Sequence, residues 1–336
     1  MSKNSFINLL MAIMIVLSIL IGTGHSARST LTSHECLTGL QRHSSSGVDE
    51  RIYTLTARIR LLALWISRTG VGAGKIAWGE DSDGTQELAL LIGSDPARAP
   101  MKINRWGYID ERVVGSCAEI VGVMTEAEEQ SIQQARTNVS ASNARHSFKA
   151  IRARIADGTA HSSVSYMKLD EDFTYRDVDA LLQQVPKDGG RVRILSLPEG
   201  AAPGFLFAVR SLVDESVRAY IKSHILGEAQ SAVRRYVFSG SAYELRRKSI
   251  RMVRELTVNG RMFRQLLESE LEIRNLTTGH KSEFRITYGV QDPIAGIPVR
   301  IVYRPRWWFE AEMLLDSDAA TPQAAQGGTP WKSGAN

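Results

Sequence analysis

From Val299 to Leu315 every odd-numbered residue is apolar: Val299, Ile301, Tyr303, Pro305, Trp307, Phe309, Ala311, Met313 and Leu315. The even positions carry Arg300, Arg304, Arg306, Glu310 and Glu312, among Val302, Trp308 and Leu314. A strand sends alternate side chains to opposite faces, so one face of this run is buried and the other mostly wet. The run is long for one strand, where about five or six residues is typical. Pro305 has no N–H to give a ladder, so an edge or a bulge is expected there.

The same period governs other segments. Tyr53, Leu55, Ala57, Ile59, Leu61, Ala63 and Trp65 alternate with Thr54, Thr56, Arg58 and Arg60 before the second face also turns apolar. Phe263, Leu267, Leu271 and Ile273 oppose Arg264, Glu268, Glu270, Glu272 and Arg274, and Phe284, Ile286 and Tyr288 oppose Arg285 and Thr287. Asn259-Gly260 and Thr278-Gly279 are turn signals between such runs. Helices are a minority. Thr125 with Glu128 is a candidate capping box for a polar helix to about Arg136. Thr174 with Asp177 opens another, with Val178, Leu181, Leu182 and Val185 on one face. Phe205, Val209 and Leu212 suggest a third after Pro203. The predicted fold is mainly β: long antiparallel strands forming a curved sheet, half-barrel or open barrel. A few helices cover one face or mouth.

The N-terminal residues bear on compartment. Lys3 precedes an apolar run from Phe6 to Ile21, and small Gly24 and Ser26 flank a cleavage point before Ala27. This pattern predicts a signal peptide over 1–26 and a protein of the periplasm or exterior. The alternative is an uncleaved inner-membrane anchor over 6–22, although a span needs about 20 apolar residues. Residues 27–47 read as a loose leader and 48–316 as a single β-rich domain with a helical or loop insertion near 125–147. Residues 317–336 hold too few apolar groups to fold. The two cysteines, Cys36 and Cys117, can form one disulfide or remain separate buried thiols. A bridge would close a loop of roughly 80 residues, for which chain entropy gives about 4.5 kcal/mol. Without CxxC, HxxxH or HxH pairs, no metal site and no cofactor are expected. The net charge of +5 is mild and its arginines are scattered, which argues against nucleic acid as a partner.

The stretch Arg68-Thr69-Gly70-Val71-Gly72-Ala73-Gly74-Lys75-Ile76-Ala77-Trp78 superficially suggests a phosphate loop. Thr69 stands where the first glycine belongs and Ile76 where the magnesium-binding hydroxyl belongs. No nucleotide is therefore expected, and the glycines are assigned to a hairpin turn or a bulge between strands. Two loops hold candidate ligand-binding residues. Arg98, Arg105, Trp106 and Tyr108 can meet an anion or a sugar ring; alternatively the loop is an ordered connection whose tryptophan packs on the barrel. Arg304, Arg306 and Trp308 project to one strand face and can form a platform for a glycan or lipid head group. Cross-strand stacking of arginine on aromatic rings is the structural alternative. No catalytic residue stands out. Glu268 and Glu270 share a strand face, but any solvated strand gives that spacing.

The order of elements from Ile52 to Leu315 resembles a bacterial periplasmic family known only as a domain of unknown function. The resemblance is carried by the strand from Tyr53, by Phe207-Ala208-Val209-Arg210-Ser211-Leu212, and by Gly296-Ile297-Pro298-Val299-Arg300-Ile301. It implies a strongly curved β-sheet or half-barrel and supplies no activity. The leading functional expectation is a non-enzymatic envelope module that binds an apolar or amphiphilic ligand, a lipid or glycan of the envelope. A cell-envelope interaction or scaffold protein is the alternative, and a hydrolase of an envelope polymer the third.

Overall fold

The computed structural model describes residues 48–61, 64–99, 102–125, 146–169, 173–185, 190–223, 231–306 and 309–316. They form fourteen strands in a single sheet. The first eight are β1 (Asp49–Leu61), β2 (Leu64–Glu80), β3 (Gln86–Ser94), β4 (Trp106–Val114), β5 (Cys117–Thr125), β6 (His146–Ala156), β7 (Thr159–Leu169) and β8 (Arg191–Ser196). The other six are β9 (Val233–Phe238), β10 (Ser241–Val258), β11 (Arg261–Asn275), β12 (Lys281–Gly289), β13 (Pro298–Arg306) and β14 (Phe309–Leu315). Among the described residues are two α-helices, α1 (Val178–Gln184) and α2 (Phe205–Ser223).

Consecutive strands pair antiparallel except β8 with β9, and β1 also pairs with β14. The sheet's free ends are therefore β8 and β9, the two strands joined through α2. This is an up-and-down meander wound into a nearly closed barrel with one seam. Backbone Ala202 N donates to Arg235 O at 2.8 Å, and Arg193 Nη1 donates to Gly240 O at 3.2 Å, so both contacts bridge that seam.

The predicted strand from Val299 to Leu315 is two strands, because β13 and β14 fold back on each other. Tyr303 faces Ala311 and Ile301 faces Met313. These partners of equal parity keep odd residues inside on both arms, which hides the reversal from the alternation. The register slips only between Tyr303 and Arg306, around Pro305, where an edge or bulge is expected, and Arg306 faces Phe309. At β1–β2 the parity changes instead. Ile59 faces Ile66 and Arg60 faces Trp65, so Trp65 belongs to the face opposite Ile59 rather than to the same one. The glycine stretch is not a turn between strands: all of Arg68–Trp78 lies within β2. Its register slips between Leu55 and Thr56, which face Gly72 and Thr69, and this bulge is the other device expected of the glycines. Gly70 needs its missing side chain: φ is +70° and a Cβ would fall 2.6 Å from Arg98 Nη2.

One face of the sheet is an apolar interior. Leu55, Ile76, Leu88, Ile109, Ile120, Ile151, Leu245, Leu271, Ile286 and Met313 share it with the α2 stripe Phe205, Val209, Leu212 and Val213. The outer face differs between the two halves. Over β4–β6 it is apolar and covered by α1, whose Val178, Leu181 and Leu182 pack with Trp106, Val123 and Phe148. The Thr174–Asp177 capping box opens a short 3-10 turn that leads into α1, as the sequence indicates. Over β10–β14 the outer face is laced with ion pairs: Arg251–Glu268 at 2.6 Å, Lys248–Glu283 at 2.7 Å, Lys281–Glu272 at 3.0 Å and Arg58–Glu312 at 3.2 Å. Residues 1–47, 126–145 and 317–336 lie outside the described residues, and with them the predicted signal segment, leader and tail and all of the 125–147 insertion but its ends, where Thr125 closes β5 and His146 opens β6.

Candidate functional site

The barrel has two unlike ends. At one of them, the helix end, the chain before α2 reads Ala201-Ala202-Pro203-Gly204 and offers no capping side chain. Glu111 of β4 supplies the cap from across the interior. Its carboxylate accepts from Leu206 N at 2.9 Å and from Phe207 N at 3.1 Å. Burial pushes the Glu111 carboxyl up to about 7, against the lowering effect of those N–H groups. Gly204 makes room, since a Cβ there would fall 2.3 Å from the carboxylate. On the opposite wall Arg247 of β10 donates to Leu212 O at 2.8 Å, to Ser216 Oγ, and to Glu215 Oε1 at 2.8 Å. The helix thus spans the concavity between β4 and β10. Asp214 of the same helix is raised by burial and paired with Arg210 at 3.6 Å. The β10–β11 hairpin also closes on this end, where Asn259 Nδ2 donates to Leu315 O at 3.0 Å.

At the loop end, hairpins β1–β2 and β13–β14 stand side by side because β1 pairs with β14. Ile66, Ile59, Phe309 and Arg306 form one row across the four strands. Trp65 is 41 % exposed and Ile66 55 % exposed. The Arg304 guanidinium lies 5.1 Å from the Trp65 ring centroid. Strands β2 and β13 have β1 and β14 between them, so this contact means that the hairpin ends curl toward each other. From Ala57 to Thr69 the chain has Arg58, Arg60 and Arg68 and no acid; from Tyr303 to Phe309 it has Arg304 and Arg306 and no acid. Tyr166 of β7, 64 % exposed, sits opposite Lys149 at the same end.

The predicted residues do not assemble into one site. Arg98 is exposed and lies against the β2 bulge. Arg105 and Tyr108 are half-buried. Trp106 is 1 % exposed and packs on Phe148, with centroids 4.9 Å apart, so its ring is not a stacking surface for a ligand. For Trp106 this is the packing alternative. Arg304 is exposed and stacked on Trp65, the cross-strand contact expected as the structural alternative, while Trp308 and the Arg306 side chain lie outside the described residues. Cys117 is buried at the start of β5, and Cys36 lies outside the described residues.

The acids singled out each meet a cation or hydroxyl. Glu268 accepts from Arg251 and from Thr287, Glu270 contacts Lys248 at 3.6 Å, and Asp95 holds Arg176 at 3.0 Å. Asp292 is exposed after β12, at the helix end, whereas Asp95 follows β3 at the loop end. Among the described residues no cluster of three His, Cys, Asp or Glu is placed to hold a metal, and no helix is long and apolar enough to cross a membrane.

Sequence reasoning missed Trp65 with Ile66, and it missed Glu111 and Arg247. The signals were present. An acid and a cation stand at inward positions of otherwise apolar alternations, and residues 61–66 are apolar on both strand faces, which leaves no wet side.

No family model matches the chain, and no curated protein matches it. Among solved structures it is similar to a β-barrel-like protein of the domain of unknown function DUF1849 from Brucella abortus. The TM-score is 0.39 and the identity 10 %, over 81 % of this chain and 97 % of that chain.

Proposed function

We propose that the protein is an exported, non-catalytic module of the cell envelope that engages amphiphilic molecules at the loop end of its barrel. The observation that carries this reading is that exposed Trp65 and Ile66 share their hairpin with Arg60 and Arg68 and lie beside Arg304 of the neighbouring hairpin. Apolar groups held beside fixed cations suit a ligand with an oily part and an anionic head. The interior is the less suitable place for it, since α2 already lays an apolar stripe across the concave face. Native mass spectrometry and lipid extraction of the purified protein, with titration of a fluorescent apolar probe, test the proposal. Recovery of an amphiphile, or probe binding competed by one, is expected. Absence of both would remove the reading.

A second reading, an interaction protein of the envelope, draws on β8. This sheet-end strand exposes Val192 and Ile194 on its outer face. Crosslinking in intact cells should then lose a discrete partner on Ile194→Glu; an unchanged partner set counts against it.

A further inference from the structure

Two features of the loop end narrow the form that the amphiphile takes. The apolar groups are arranged as a tip rather than as a pocket. Trp65 and Ile66 are neighbours on one hairpin and point to opposite strand faces, yet both are exposed. A single bound molecule in a groove would need apolar side chains converging on it. Side chains that emerge on both sides of a strand end instead suit entry into a continuous apolar phase. The second feature is the placement of charge. Arg60 pairs across from Trp65, Arg68 follows Ile66 by two residues, and Arg304 lies over the Trp65 ring. Nearer the barrel the charge pattern changes: Arg58 meets Glu310 at 3.5 Å and Glu312 at 3.2 Å. Those contacts neutralise Arg58, and the sequence of the two hairpin ends, 59–69 and 303–309, contains arginine and no acid.

We infer that the two hairpin ends dock the barrel onto an anionic lipid bilayer, with Trp65 and Ile66 entering the interfacial layer and Arg60, Arg68 and Arg304 meeting lipid head groups. Tryptophan is suited to that layer because its ring is apolar and its N–H polar. Arginine stems can lie along the acyl boundary while the guanidinium stays with phosphate. Each basic residue near an anionic membrane contributes on the order of 1 kcal/mol, and the attraction is screened by salt. This inference rests on the amphiphile-binding reading and specifies it: the occupant is a membrane surface, and neither a lone lipid nor a glycan.

The experiment is flotation of the full-length protein with two kinds of vesicle, phosphatidylcholine alone and phosphatidylcholine mixed with phosphatidylglycerol, at low and at high salt. Co-flotation is expected with the anionic vesicles at low salt, and it should weaken with salt and without phosphatidylglycerol. The double variant Trp65→Ser, Ile66→Ser should lose binding to them. Arg68→Glu should weaken it about thirtyfold, from a change of two charges. Circular dichroism and thermal unfolding of each variant identify any that fail to fold, and Arg68→Glu, at an exposed position, is the second route if the double variant does. Equal binding to both vesicle types, or full binding by folded variants, overturns the inference. An amphiphile or soluble glycan that binds the protein without any vesicle co-flotation overturns it too, and leaves the amphiphile reading to be judged on the extraction alone.

Discussion

At the helix end of the barrel, charged groups point inward and are buried: Glu111 against the first turn of α2, Arg247 against its middle. At the loop end the polarity is reversed, and apolar side chains, Trp65 and Ile66, point out into solvent. Both arrangements carry a cost. A buried ionisable group must recover its lost hydration through hydrogen bonds, and apolar surface left exposed gains nothing from folding. The first arrangement offsets much of that cost within the molecule, since Glu111 and Arg247 bond to the helix that closes the barrel, and Glu111 offsets the rest by holding its proton more tightly. The second recovers a little through the Arg304 contact with Trp65, and the surface still exposed is covered only by something outside. The ends therefore separate stability from recognition, and substitutions at each should register in different measurements.

Arg247→Ala should have the largest effect. The residue is 1 % exposed, and its loss removes the guanidinium from Leu212 O, Ser216 Oγ and Glu215 and opens a cavity, although Glu215 keeps Arg234 and Leu212 O keeps the Ser216 hydroxyl. The cavity and the lost hydrogen bonds together cost about 3–5 kcal/mol. Urea unfolding should show that loss, and Arg247→Met, which fills more of the space, should lose less. A change near zero would mean that α2 is not tied to β10 in solution and would dissolve the contrast between the ends.

Glu111 gives the next effect, and it depends on pH. Its carboxyl is raised to about 7 in the folded protein from an ordinary 4.5, so the folded state holds the proton more tightly. The stability this provides is complete below pH 4.5 and is lost as pH rises through 7. The shift corresponds to about 3 kcal/mol. Glu111→Gln, which cannot ionise, should flatten the dependence of the unfolding midpoint on pH between 5 and 8. If the wild type instead gains stability over that range, the carboxylate form is the preferred cap and the dependence runs the other way.

The parts of this molecule legible in its sequence are those with a period. Alternation marked the β runs, Asn259-Gly260 marked its hairpin, and Thr174 with Asp177 marked the turn before α1. Reversals that preserve parity stayed hidden: Ile301 and Met313 are both odd and both inside, so the β13–β14 hairpin reads as one long strand. Non-local capping stayed hidden as well. Glu111 and the α2 N-terminus are remote in sequence, and neither carries a local mark of the other. The loop end was half legible. Arg304 stood out for its aromatic neighbours, but its actual ring partner is Trp65, brought to it by the β1–β14 pairing that joins the two ends of the chain. Only strand order could supply that contact.

Asn259 tests the closure of the helix end at smaller scale. It adopts φ +47° in the turn before Gly260, and its amide reaches Leu315 O. Asn259→Ala should cost about 1–2 kcal/mol, from the left-handed backbone and the lost hydrogen bond together. Asn259→Gly tolerates the backbone and should recover the strain part. If both substitutions are silent, the hairpin does not fasten the sheet at β14.

The smallest expected effect on stability belongs to the tip, and for that reason it is the sharpest test of the comparison. Ile66 is more than half exposed, so Ile66→Ser removes little buried surface and should move the unfolding free energy by about 0.5 kcal/mol or less. Trp65→Ser also forfeits the Arg304 contact, worth about 0.5–1 kcal/mol at an exposed site. Both proteins should unfold close to the wild-type midpoint while losing affinity for anionic vesicles. If either unfolds as readily as Arg247→Ala, then the tip is part of the folded core in solution. Its exposed tryptophan would then report on how the barrel holds together, and the division of labour between the two ends would fail.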